Sequence, residues 1–132
     1  MATQQVELVA VDRLVWQGEA VAVNARTLEG EIGILPEHAP LLGVLAEGHA
    51  VRIELEDGEE ISVAAHGGFI SVSNNEVQIL VERAELADEI DVDSARSDAE
   101  QYKNADEDDA EGRAAYLRAA ARLRATGNDV PS

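Results

Sequence analysis

Cysteine is absent from this 132-residue chain, aromatic residues make up only 3% of it, and nowhere do about 18 apolar residues follow one another. Without cysteine there are no disulfides, no thiolate metal ligands and no cysteine nucleophile. With one tryptophan, two tyrosines and one phenylalanine there is no platform on which bases could stack. Basic residues are scarce too: 10 against 27 acidic, for a formal net charge of −17. The deficit runs through both parts of the chain, with 15 acidic and 4 basic residues up to residue 87 and 12 and 6 after it. Both parts repel phosphate backbones and anionic headgroups, which makes nucleic-acid binding and direct adsorption to a membrane surface poor readings. The segment Met1 to Gln5 lacks the basic stretch and apolar core of a secretory leader, so a cytoplasmic chain, soluble by itself, is expected. At this length the chain holds one well-buried domain, or a small domain with an appendage.

What is present begins with a two-residue period. Apolar residues alternate in Val6/Leu8/Ala10, Val21/Val23/Ala25, Val51/Ile53/Leu55, Ile61/Val63/Ala65 and Val77/Ile79/Val81. That period predicts half-buried strands. Gly18, Asp57-Gly58 and Asn74-Asn75 read as turns between them, the last two joining hairpin partners. Eight or more short strands with little helix between them predict an antiparallel β-sandwich over residues 1–87.

Residues 88–132 change to alanine-rich helix, a two-helix antiparallel hairpin. The first helix is expected from Asp93 to Asn104, capped by Asp93 or Ser94, with Ala95, Ala99 and Tyr102 on one face. The second is expected from Ala110 to Ala125, with a stripe of Ala110, Ala114, Leu117 and Ala121 and a stop at Gly127. Alanine buries little area, so the hairpin is expected to be only marginally stabilised.

Few residues carry chemistry. His38, His49 and His66 lack metal-ligand spacing. The run Asp106-Glu107-Asp108-Asp109 lacks the central glycine of a calcium loop and reads as a solvated, self-repelling connection. Trp16 and Phe69 read as core or interface anchors. On the second helix Arg118 and Arg122 project from one flank, Arg113 and Arg124 from the other. Two readings stay open: ion pairs with Asp93, Asp98, Glu100 or the 106–109 run, or an anion site for nucleotide phosphates or an acidic protein patch.

One segment uses glycine and proline for backbone shape: Gly30-Glu31-Ile32-Gly33-Ile34-Leu35-Pro36-Glu37-His38-Ala39-Pro40. With His66-Gly67-Gly68-Phe69 further on, it resembles the epsilon-subunit family of F-type ATP synthases, and the resemblance covers nearly the whole chain. It implies a non-catalytic subunit of the rotor's central stalk, joining the gamma subunit to the c-ring on the cytoplasmic face of the cell membrane. It makes Glu31 and His38 contact residues for the c-ring, with part of the sandwich face on gamma. It makes the hairpin regulatory, either compact or reaching into the alpha/beta head to restrain ATP hydrolysis. Some members bind regulatory ATP through Ile/Leu-Asp-x-x-Arg-Ala and two arginines of the second helix. Val92-Asp93-Ser94-Ala95-Arg96-Ser97 is similar, departing at both ends, and Leu117-Arg118 through Arg122-Leu123 resembles the arginine turn. The implied ATP contacts are Asp93, Arg96, Arg118 and Arg122; no cofactor is required and no metal is implied. The rival reading is an independent nucleotide-sensing binding module.

Overall fold

The computed structural model describes residues 2–132. Eight strands come first: β1 (Gln4–Ala10), β2 (Arg13–Ala20), β3 (Ala22–Thr27), β4 (Gly30–Ile34), β5 (Leu41–Val44), β6 (Ala50–Glu54), β7 (Glu60–Ser73) and β8 (Glu76–Leu86). A short 3₁₀ turn, Ala87–Glu89, leads to α1 (Val92–Tyr102) and α2 (Ala110–Ala125). The strands form one continuous path, β2-β1-β8-β7-β6-β3-β4, with β5 also on β7. The path folds over to make a sandwich, and the inward residues of its strands, among them Leu8, Ile34, Ile53, Ile70 and Ile79, enclose a single core.

The two expected hairpin turns are present. Asp57 and Gly58 join β6 to β7, and Asn74 and Asn75 join β7 to β8 with φ of 52° and 63°, the left-handed geometry a tight two-residue connection needs. Other expectations change. The pairing of β1 with β8 is parallel, so the sandwich is not wholly antiparallel. Gly18 lies inside β2 rather than at a turn; a Cβ there would sit 2.8 Å from the Trp16 ring, so the glycine makes room for the indole. The chain reverses instead at Val11 and Asp12.

β7 is long because it serves both layers. Its first half pairs with β6 and its second with β5. Inward residues change from Val63 and Ala65 to Ile70 and Val72, a switch of parity across His66-Gly67-Gly68. Gly67 has φ of 66°, and a Cβ on Gly68 would lie 2.1 Å from the Leu80 carbonyl, so side chains are excluded where the sheet turns its corner.

The helices also start and pack differently from the sequence reading. Asp91, not Asp93 or Ser94, caps α1 by accepting from the Ser94 amide at 3.1 Å. On α2 Ala110 is exposed and Ala114 and Leu117 only partly buried. Two faces are buried in place of one stripe: Ala121 and Ala125 against Ala50 and Ala64 of the sandwich, and Ala119 and Leu123 against Ala95 and Ala99 of α1. The acidic connection is partly built rather than merely solvated. Asp106 accepts from the amides of Asp108 and Asp109, and Asp109 caps α2 through the Gly112 amide at 2.9 Å. After Gly127 the chain folds back, so that Val130 covers the α1/α2 contact and the Tyr116 hydroxyl donates to the Pro131 carbonyl at 2.6 Å.

Candidate functional site: an apolar sheet face and a docked hairpin

Strand register builds a row of apolar side chains on the outer face of the layer away from the helices. Val44 pairs with Phe69, Phe69 with Leu80, Leu80 with Val9 and Val9 with Leu14, across β5, β7, β8, β1 and β2. Phe69 is 52% exposed and Leu80 49%, with Leu14 and Val44 similar. The neighbouring row, Leu42, Ser71, Gln78 and Glu7, is polar apart from its leucine. A contiguous apolar band with a polar border is how a docking surface differs from scattered exposed residues. Phe69 is thus an outward anchor, whereas Trp16 packs against the core. The sequence reading did not find the row. Its signal was apolar residues at both parities, as in Phe69-Ile70 and Ile79-Leu80-Val81, but assembling it requires the register.

Glu31 is the second residue of β4, and His38 lies in the loop that follows the strand. Glu31 faces outward near the start of the strand, 3.6 Å from Arg26. His38 lies in the following loop, with Nδ1 2.7 Å from the Ala39 carbonyl. That loop is pinned by the Glu37 amide, which donates to Asn75 Oδ1 at 2.9 Å with Glu37 at φ 66°.

The hairpin is fastened to the sandwich by polar contacts around its alanines. Arg122 Nε donates to both carboxylate oxygens of Glu85, at 2.8 and 3.1 Å, and His66 Nε2 lies 3.0 Å from the same carboxylate. His66 foremost, then Arg122, holds the Glu85 carboxyl below its ordinary range. Arg124 donates to the Gly48 carbonyl, and Arg52 Nη2 donates to the Arg124 carbonyl at 2.9 Å. At the entry to the helices Arg13 grips Glu89 at 2.6 and 2.9 Å, and that hydrogen bonding, with the Leu86 amide, lowers the Glu89 carboxyl to about 2.

These contacts revise both readings of the arginines. Arg122 pairs with β8 rather than with an acid of the hairpin, and Arg113 lies over the Tyr116 ring at 5.6 Å. Asp93, 98% exposed at its side chain, is 3.5 Å from Arg96, which also reaches Asn128. Arg118, without an ion pair among the described residues, borders a cleft of about 180 Å³ with His66, Glu82 and Arg83. Asp93 and Arg96 are therefore brought together, while Arg118 and Arg122 stand in a separate group around Glu85 and His66. Among the described residues no group of acidic residues and histidines could hold a metal ion, and no helix is long and apolar enough to cross a membrane.

Residues 3–87 match the family described as ATP synthase, Delta/Epsilon chain, beta-sandwich domain. The ATP synthase epsilon chain of Streptomyces avermitilis is 53% identical over 125 residues, covering 94% of this chain and 95% of that one. That of Mycolicibacterium vanbaalenii is 48% identical over 127 residues, covering 96% and 98%. Among solved structures, a chain of the Euglena gracilis mitochondrial ATP synthase shares the fold with a TM-score of 0.77 at 24% identity, over 94% of this chain and 79% of that one. With the family model over the sandwich and these relatives over nearly the whole length, the chain is a member of the ATP synthase epsilon-chain family.

Proposed function

We propose that this chain is a non-catalytic central-stalk subunit that transmits torque, with the apolar row as its seat for a gamma subunit and the Glu31 and His38 segments turned to a c-ring. The row carries the reading. Five adjacent strands present large apolar side chains on a rigid sheet, a surface suited to a permanent partner rather than to solvent. Such a seat needs stiffness, which a single core beneath it supplies. The subunit would sit on the cytoplasmic face of the membrane through its partners, since its charge disfavours direct adsorption. Co-expression with a gamma subunit tests this. The parent chain should co-purify with it, and Phe69→Glu/Leu80→Glu should lose it while keeping a folded sandwich; retention by the charged variant would refute the seat.

The hairpin is the regulatory part of this reading, and residues 88–132 its unit. Arg118, which makes no ion pair among the described residues although Glu47 and Glu82 line the same cleft, leaves a cation open to an anionic regulatory signal. ATP held by Asp93, Arg96, Arg118 and Arg122 would require the two groups that the docked hairpin keeps apart to come together, with Arg122 exchanging Glu85 for phosphate. Calorimetric titration of the chain with ATP beside Arg118→Ala/Arg122→Ala decides it. Binding lost in the variant supports an ATP-responsive hairpin, whereas a parent that takes no ATP leaves restraint of hydrolysis to contacts with the alpha/beta head.

A further inference from the structure

A second concavity lies where the carboxyl end of α2 meets the outer face of β3, β4 and β6. Its volume is about 730 Å³, and it shares no lining residue with the cleft beside Arg118. That volume is in the range of about 300–1,000 Å³ typical of small-molecule sites. Three of the nine arginines of this acidic chain converge on it, Arg26, Arg52 and Arg124, with three carboxylates, Glu31, Glu54 and Glu60, around its wall.

We propose that this cavity binds a small phosphate-bearing anion, gripped by Arg52 and Arg124 and flanked by Arg26 and His49. The two gripping guanidinium groups are fixed in place by main-chain carbonyls, Arg124 on Gly48 and Arg52 on Arg124 itself. Carbonyls orient a guanidinium without neutralising it, so Arg124, which has no carboxylate within ion-pair distance among the described residues, keeps its charge available for a ligand, and Arg52 has only Glu60 to exchange. The nearby carboxylates are loose partners, with Arg52 to Glu60 and Arg26 to Glu31 both at 3.6 Å. His49 beside them has its proton affinity lowered, by burial first and then by Arg124 and Arg26, with Glu31 acting in the opposite direction. The net charge of −17 does not prevent anion binding here, because exposed charges beyond a Debye length of about 8 Å are screened at physiological salt.

The rest of the lining narrows the ligand. Asn24, Asn128 and Glu54 offer amide and carboxylate groups beside the arginines. A bare phosphate would use only the cations, while a phosphate on a hydroxylated carbon skeleton would use both sets. A coupling follows from the architecture, since Arg52 belongs to β6 and Arg124 to α2. The site is complete only while the hairpin lies on the sandwich, so an occupant stabilises that docked arrangement by mass action.

The test is a nitrogen-edited NMR titration of the full chain with inorganic phosphate and with ribose 5-phosphate. Saturable shifts at Gly48, His49, Asn128 and the arginine Nε groups of Arg52 and Arg124 are expected, with ribose 5-phosphate the tighter. Arg52→Gln should weaken binding about tenfold or more, and Arg118→Ala should leave it unchanged. Arg52 lies on the sandwich, and the Ala121 and Ala125 amides report whether the hairpin stays docked in that variant. Absence of saturation at about 10 mM of either probe, a level at which even millimolar affinity registers, would overturn the proposal. So would shifts that survive Arg52→Gln with the hairpin docked, or that vanish in Arg118→Ala.

Discussion

The two parts of this molecule are held together by different physics. The sandwich core is made mostly of leucine, isoleucine and valine, with alanines such as Ala20 and Ala65 between them, completely or almost completely removed from water. The hairpin core is made of alanines, with Leu123 its single large fully buried side chain. At roughly 25 cal/mol per Å² of apolar area, the first arrangement stabilises itself and the second depends on what surrounds it. What surrounds it is polar and specific: Arg122 on Glu85, Arg124 on Gly48, Arg52 on Arg124, and a carboxyl-terminal tail with Val130 over the helix contact. A rigid half can carry load, and a half fastened by a few replaceable contacts can change position. That division suits a coupling subunit with a regulatory appendage.

The largest effect expected is from the core of the sandwich. Ile53→Ala should cost about 3–5 kcal/mol and lower the unfolding temperature of the whole chain, because the hairpin has nothing to rest on once β6 is lost. Leu123→Ala should cost about 2–4 kcal/mol of hairpin stability and leave the sandwich transition where it was. Calorimetry with hydrogen exchange separates these outcomes. A single transition, shifted equally by both substitutions, would mean that the halves unfold as one and that the comparison is wrong.

Glu85→Gln should weaken docking by about 1–2 kcal/mol, since it leaves the Arg122 guanidinium without its carboxylate. The same contact gives a pH dependence of known sign. Glu85 has a lowered proton affinity in the folded state, so its contribution is fully present above the ordinary carboxylate range and is lost as pH falls through the lowered folded value. Amide protection along α2 should therefore decline in acid in the parent and decline less in Glu85→Gln. The smallest effect is expected at the start of α1, where Asp91→Ala should cost about 1 kcal/mol, read as fraying of Val92 to Ala95 by NMR.

Much of the fold was legible in the sequence because its signals are local. Asp57-Gly58 and Asn74-Asn75 specify turns by their own backbone preferences, and the alanine composition with Gly127 marks α2 at Ala110–Ala125. Gly18 misled because a glycine making room for a side chain two residues away looks the same as a glycine making a turn. The cap of α1 was displaced by two residues because Asp91 and Asp93 are equally good capping residues, and only the chain direction after Ile90 selects one. The parallel β1–β8 pair, the apolar row and the Arg122–Glu85 contact were not legible. Each joins residues distant in sequence, 37 apart in the last case, so the pattern exists only after the strands are in register. For Glu31, His38, Asp93, Arg96, Arg118 and Arg122 the sequence motif supplied names, while the fold supplied surroundings, and those divided the arginines differently from the motif.

The most direct test of the account is hydrogen exchange of the full chain, alone and bound to a gamma subunit. New protection is expected in β5, the second half of β7, β8 and β1, centred on Val44, Phe69, Leu80 and Val9, with the β3 and β4 amides unchanged. Protection centred on β3, β4 and β6 instead, with exchange around Phe69 unaltered, would contradict the assignment of the apolar row as the load-bearing seat.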